Sequence, residues 1–165
     1  MNSRLPLGML PRRLTERDLT VLRKVEAADL SCVESKLLQD KRMSPSEVRS
    51  ALLEFKRFMA LVALGIKPLA MIGPRVDEVW HQFILFTKQY RAFCAQTLGR
   101  FVNHQPNTQK TPVPSVAWQN FIRGYREHFG DLPRIWYAGL DRASMDYFNG
   151  RGASPPMRWS GWTGD

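Results

Sequence analysis

Cysteine is scarce in this sequence, and no run of apolar residues is long enough to cross a bilayer. Cys32 and Cys94 are the only two cysteines among 165 residues, which excludes a disulfide framework and a paired-cysteine metal motif. A membrane-spanning helix needs about 20 apolar residues, and residues 1–13 lack the apolar core of a secretory signal. We therefore expect a protein of the cytoplasm, or of an assembly made there, with no membrane partner.

Common catalytic motifs are missing as well. The sequence contains no GxSxG, HExxH, P-loop or dinucleotide-binding pattern, each of which marks a large enzyme class. Cys94 falls on an apolar helical face, where a free thiol usually behaves as a small hydrophobe and not as a nucleophile. These absences weigh against an enzyme, although they leave that question open.

Acidic residues are outnumbered by basic ones, but the basic residues are dispersed. The chain has 24 Lys and Arg against 15 Asp and Glu, a net charge of +9. No basic run is longer than two residues, whereas nucleic-acid modules usually concentrate charge on one face. The diffuse positive charge favours acidic partners in general, and nucleic-acid binding ranks third among the functions that we consider.

Helical periodicity and capping signals predict the fold class. Thr15 followed by Asp18 resembles a helix start, and residues 44–47 combine a capping serine, a proline and a glutamate in the order of a helix N-terminus. A long helix is expected over residues 74–98, and another follows Ser115. We predict an all-α protein, an irregular bundle of four to six helices.

The remaining segments have less regular patterns. Residues 15–40 fit either one bent helix or two helices, residues 103–115 are typical of a loop, and a short helix is expected near 141–148. No strand pattern is recognised. The helical domain is therefore placed at residues 15–148, between an extended N-terminal arm (1–14) and a Gly/Pro-rich C-terminal tail (149–165).

Apolar side chains in the two arms suggest contacts with another protein. Leu7 and Leu10 lie among prolines, and Met157, Trp159 and Trp162 lie in a glycine-rich segment with no local core. Aromatic residues in such segments commonly dock into grooves on partners. The alternative is that both arms fold back over their own bundle.

Histidine is nearly as rare as cysteine, with three residues, and two of the three could meet. Asp77 and His81 are four positions apart, on one face of the predicted helix, and a returning His104 could join them. Such a set could hold a divalent transition metal. The interpretation that we prefer needs no cofactor, because Asp77 could simply accept a hydrogen bond from His81 at the start of a core helix.

Residues 76–81 (Val-Asp-Glu-Val-Trp-His) begin a longer pattern, which continues through Tyr90, Cys94 and Gly99 to His104 and Pro106. A second block includes Phe129-Gly130-Asp131 and ends at Ile135-Trp136. Together these blocks resemble small bacterial relatives of the glycine-rich-domain-containing proteins, over about residues 45–137. The resemblance implies a helical fold and no particular reaction.

Departures from that family pattern concern its polar positions. The family commonly has Trp-His-x-His, followed by an acid three residues on, where this chain has Trp80-His81-Gln82-Phe83 and then Phe86. A histidine pair of the family is Asn103-His104 here, and cysteines are absent beyond Cys94. The resemblance therefore implies a site that has lost part of its ligands.

The function that we expect first is a non-enzymatic protein that acts through protein–protein contacts. It would be a homo-oligomer or a subunit of a larger assembly, a class that includes phage and phage-like particles, with Leu7, Leu10, Met157, Trp159 and Trp162 as contacts. The alternative is a metal-binding accessory protein or a metal-dependent enzyme that uses Asp77, His81 and His104.

Overall fold

A computed structural model describes residues 4–148, 151 and 161–164 of the chain. These residues form seven α-helices and one three-stranded sheet. The helices are α1 Glu16–Ala27, α2 Ser31–Asp40, α3 Pro45–Ala63, α4 Pro74–Leu85, α5 Thr87–Phe93, α6 Ser115–Phe129 and α7 Arg142–Phe148. The strands are β1 Ala70–Met71, β2 Asn103–Pro106 and β3 Gly161–Gly164. The predicted helical fold is confirmed, and the small sheet was not foreseen.

The helix starts that carried capping signals form where they were expected. Thr15 and Asp18 each bond the other's backbone N–H through their side chains, and Ser44 and Glu47 do the same at the start of α3. Such reciprocal bonds satisfy N–H groups that have no partner within the helix. The uncertain region 15–40 is two helices, with a break at residues 28–30.

Helix α3 lies at the centre of the core. It contacts α1, α2, α4 and α6, and its fully buried Phe58 packs against the rings of Trp80 from α4 and Phe121 from α6. Burial of one such aromatic side chain stabilises the fold by about 1.5–3 kcal/mol. The central position of α3 follows from its C-terminal half, where the five consecutive apolar residues 58–62 are all buried.

The prediction of a single helix over residues 74–98 is wrong. Phe86 leaves the helical conformation, with φ −80° and ψ 62°, and separates α4 from α5. Residues 94–98 then form a π-helical turn, which Gly99 ends with φ 67°. Phe86 packs against the core, and neither proline nor glycine marks the break. The apolar helical periodicity therefore continues across residue 86 and gives no sign that the helix ends there.

The described parts of both arms pack against the rest of the protein, an arrangement that the sequence analysis left open. Residues 6–8 form a short 3₁₀ turn against α1 and α3, and β3 lies between β1 and β2 as the middle strand of the sheet, antiparallel to both. Residues 103–106, expected in a loop, are β2. No helix in the described parts of the chain is long and apolar enough to span a membrane.

Candidate metal centre

The first turn of α4 places an aspartate inside the protein. Gly73 precedes the helix, and a Cβ there would lie 2.8 Å from Cε3 of Trp136, so this position requires glycine. Pro74 then begins α4, and the backbone N–H of Asp77 bonds the Gly73 carbonyl at 2.8 Å. An acid in the first turn is favoured by the helix dipole. The carboxylate of Asp77 is thereby held in a buried position, with its side chain 5% exposed.

Two histidines face the two oxygens of this carboxylate. His104 Nε2 lies 2.9 Å from Asp77 Oδ1, and His81 Nε2 lies 3.6 Å from Asp77 Oδ2. The two imidazole rings are 4.6 Å apart between centroids, and one ligand atom from each of the three residues lies within 4.8 Å of the others. The structure thus brings together Asp77, His81 and His104, the three residues that the sequence analysis gave as the metal-binding alternative.

The hydrogen bond to Asp77 comes from a different histidine than expected. A separation of 3.6 Å leaves His81 and Asp77 within ion-pair distance but is too long for a hydrogen bond, so the hydrogen bond expected between these two residues is not formed. His104 occupies the hydrogen-bonding position instead. The reason is that β2 brings His104 directly over the first turn of α4.

The site is open on one side. The side chains of Asp77 and His104 are each 5% exposed, whereas that of His81 is 50% exposed. Two of the three potential ligands are therefore fixed inside the protein, and the third lies at the surface, where it can rotate. A small ligand or a water molecule could approach from the side of His81.

A chain of aromatic contacts supports His104 from below. The Trp80 ring meets the His104 ring edge-on at 4.5 Å, and Trp80 Nε1 donates a hydrogen bond to the Tyr90 hydroxyl at 2.9 Å. That hydroxyl donates to the Val102 carbonyl at 2.6 Å, two residues before His104. Burial raises the pKa of Tyr90 above its ordinary value, which keeps the hydroxyl proton available for this bond.

The ligand set matches known classes of metal sites. Two imidazoles and one carboxylate are the donors of many catalytic zinc sites, and of iron(II) sites that keep coordination positions open. Ligand atoms on a tetrahedral zinc ion lie about 3.4 Å apart, given metal–ligand bonds of about 2.1 Å. One donor atom from each of the three residues lies within 4.8 Å of the others, so the donors must move closer together to hold such an ion, and the half-exposed His81 is the side chain with room to move.

Cys94 does not take part in this cluster. It is 1% exposed, and burial raises the pKa of its thiol above the ordinary value. A buried thiol that stays protonated is a poor nucleophile and a poor metal ligand. The sequence interpretation of Cys94 as a core residue agrees with this position.

The residues predicted to contact a partner are divided. Leu7 is 3% exposed, and Trp162 is half-buried in β3 against the core, so both are used for packing within the chain. Leu10 is 42% exposed and remains accessible. Met157 and Trp159 lie outside the described residues.

A second buried carboxylate was missed by the sequence analysis. Glu54 of α3 is 2% exposed. It accepts hydrogen bonds from the Tyr125 hydroxyl (2.5 Å), the Trp136 indole N–H (2.7 Å) and Arg57 (2.9 Å). A signal was present, because Glu54 lies four positions before Phe58 on the apolar side of the helix.

Comparisons with known proteins give one result. A model of the UCP032817-like family matches residues 23–126, a range that contains Asp77, His81 and His104. No curated protein and no solved structure matches the chain, and the resemblance to relatives of the glycine-rich-domain-containing proteins stays a prediction. Since the matched range is more than half of the sequence, the chain belongs to the UCP032817-like family.

Proposed function

We propose that this protein binds one divalent transition-metal ion through Asp77, His81 and His104. The observation that carries the proposal is the arrangement of a buried carboxylate whose two oxygens each face an imidazole nitrogen, at 2.9 and 3.6 Å. A carboxylate that served only to fix its helix would need one such partner. The second imidazole, on the open side, gives the site a third donor.

The donors favour zinc, with iron(II) next. Nitrogen and oxygen ligands without thiolate suit both ions, and Zn²⁺ accepts the uneven spacing of this set because it imposes no geometry through its d electrons. Three protein donors leave a coordination position for water or another small ligand, which distinguishes this site from closed structural zinc sites with four protein ligands. The proposed protein is therefore a metal carrier or a metal-dependent catalyst, and not a zinc-stabilised fold.

Metal titration of the purified, metal-free protein tests the proposal. We expect one Zn²⁺ or Co²⁺ per chain, and a loss of at least about 100-fold in affinity for His81→Ala, because two ligands do not hold these ions well. Since His81 is half exposed, this variant should keep the helical circular dichroism of the parent.

A matched control lies on the same helix. Leu85 is one turn beyond His81 and 72% exposed, so Leu85→Ala removes a surface side chain of α4 without touching the donors. It should bind metal as the parent does. Absence of stoichiometric binding of Zn²⁺, Co²⁺ and Fe²⁺ at micromolar concentrations would overturn the proposal, and so would equal affinities of His81→Ala and the parent.

Assembly through the arms, and nucleic-acid binding through diffuse charge, stay predictions from the sequence. Among the described residues, Leu10 is the only one of the proposed contacts that remains largely exposed. The native mass of the protein from its source tests assembly, and the salt dependence of binding tests nucleic-acid affinity.

A further inference from the structure

The donors of the proposed metal site come from two separate segments of the chain. Asp77 and His81 lie on α4, which begins three residues after β1, and His104 lies on β2. In the sheet, β3 is between β1 and β2, and each of them pairs with it. The sheet therefore joins the two donor segments through β3.

Thr163 is the residue of β3 at the junction. In the register of β3 with β2 it lies opposite His104. On its other side, its backbone N–H donates to the Leu69 carbonyl at 3.0 Å, and its hydroxyl accepts from the Leu69 N–H at 3.1 Å. Thr163 is 6% exposed and Leu69 is fully buried, so these bonds are protected from water.

Leu69, which Thr163 bonds, belongs to a fully buried segment. Residues 69–72 are fully buried, and they lead without interruption through Gly73 into α4. Leu69 is therefore connected to Asp77 through buried backbone, and Thr163, which bonds Leu69, lies opposite His104 in the sheet. The result is a short path from one donor segment to the other that includes Thr163.

We propose that Thr163 is a positioning residue for His104, and that β3 sets the affinity of the metal site by holding β2 against α4. This inference rests on the proposed metal binding. The aromatic contacts of Trp80 and Tyr90 also support His104, so loss of β3 pairing should weaken the site without abolishing it. Residues that orient metal ligands in this indirect way typically change affinity by about 10–100-fold.

Cobalt binding by three variants tests the proposal, because the visible absorption of Co²⁺ reports its coordination geometry directly. Thr163→Val keeps the shape of the side chain but removes the acceptor for Leu69 N–H, Thr163→Ser retains the hydroxyl, and a chain truncated after Ser160 lacks β3. We expect about 10-fold weaker Co²⁺ binding and an altered spectrum for Thr163→Val and the truncated chain, with recovery to within about threefold of the parent for Thr163→Ser.

A variant that loses stability without changing a donor or the sheet separates positioning of His104 from a general loss of stability. Tyr125→Phe removes a hydrogen bond to Glu54 and leaves the sheet untouched, so it should retain the parent's Co²⁺ affinity and spectrum. If Thr163→Val and the truncated chain both match the parent in affinity and spectrum, the inference is overturned while metal binding stands. If the parent itself takes up no Co²⁺ or Zn²⁺, the proposed function fails, and the inference falls with it.

Discussion

Asp77 and Glu54 are both carboxylates in the interior of one small protein, and their surroundings differ. The Glu54 side chain is 3% exposed and that of Asp77 is 5% exposed. Glu54 receives hydrogen bonds from Arg57, Tyr125 and Trp136, which engage both of its oxygens. In contrast, within the described residues Asp77 accepts one side-chain hydrogen bond, from His104, and its second oxygen faces the half-exposed His81 at 3.6 Å.

This comparison shows how burial alone fails to distinguish a structural group from a binding group. A buried charge costs stability unless it is paired and hydrogen-bonded, and the partners of Glu54 meet that need completely within the described residues. The partners of Asp77 are two imidazoles, which can donate to a carboxylate or, when deprotonated, bind a metal beside it. The identity of the partners, and the access of solvent to one of them, make Asp77 the candidate ligand.

The largest expected effect is a loss of stability when Glu54, the carboxylate with three hydrogen-bond donors, is removed. Glu54→Ala leaves Arg57 and two further donors without their acceptor, and removal of one member of a buried ion pair typically costs about 3–5 kcal/mol. Urea unfolding followed by circular dichroism measures the loss. Glu127 is exposed at the surface of α6, so Glu127→Ala should change the free energy of unfolding by no more than about 0.5 kcal/mol. Equal effects of the two variants would contradict the structural role of Glu54.

The next expected effect is an increase in stability on metal binding, and it tests the role of Asp77. At a free Zn²⁺ concentration 100 times the dissociation constant, binding to the folded state should add about 2.7 kcal/mol to the free energy of unfolding. Asp77→Asn removes the charged ligand and should remove this increment. The same increment should persist in Glu54→Gln, because that site is separate. Thermal unfolding with and without Zn²⁺ measures both, and a Zn²⁺ effect that survives in Asp77→Asn would contradict the assignment.

The smallest expected effect is at alkaline pH, near Glu54. Burial, and then the adjacent Glu54 carboxylate, raise the pKa of Tyr125 above its ordinary value. A pKa raised in the folded state means that stability is fully present below the unfolded-state value near 10, and falls above it by about 1.4 kcal/mol per pH unit for this group. Tyr125→Phe removes this group, so the free energy of unfolding should fall less steeply with pH, by up to about 1.4 kcal/mol per pH unit.

The slope of the parent also contains contributions from other buried groups. Burial raises the pKa of Tyr90 and of Cys94 as well and lowers that of Lys56, which acts in the opposite direction. All three groups remain in Tyr125→Phe, so the expected result is a changed slope and not a flat profile. Urea unfolding between pH 9 and 11 measures the difference. An unchanged slope would show that Tyr125 does not titrate in the unfolding reaction.

The helical part of this fold was predictable because its signals are local. Thr15 with Asp18, and Ser44 with Glu47, are each within four residues, and both pairs form caps. Asp77 and His81 likewise share one helix face by spacing alone. These interactions depend on the geometry of a single helix, which the sequence contains in full.

The sheet and the buried carboxylate depend on residues far apart in the chain. Gln105 pairs with Trp162, and Glu54 bonds Trp136 across 82 positions. Strands of two to four residues are too short to show an alternating apolar pattern. A glutamate on an otherwise apolar helix face is visible in the sequence, but its distant hydrogen-bond partners are not. The approach of His104 to Asp77 was therefore only one of two open interpretations, since the strand that brings it there was not recognised.

Order of synthesis gives the sheet a further consequence. Leu69 and Thr163 are 94 positions apart, and all three proposed metal donors precede β3 in the chain. At about 5–20 residues per second, the ribosome takes about 3–12 s to proceed from His104 to Thr163. During this interval the nascent chain already contains Asp77, His81 and His104 but not β3. If the proposed site binds a metal ion, an ion bound at that stage would be held by donors that β3 does not yet support.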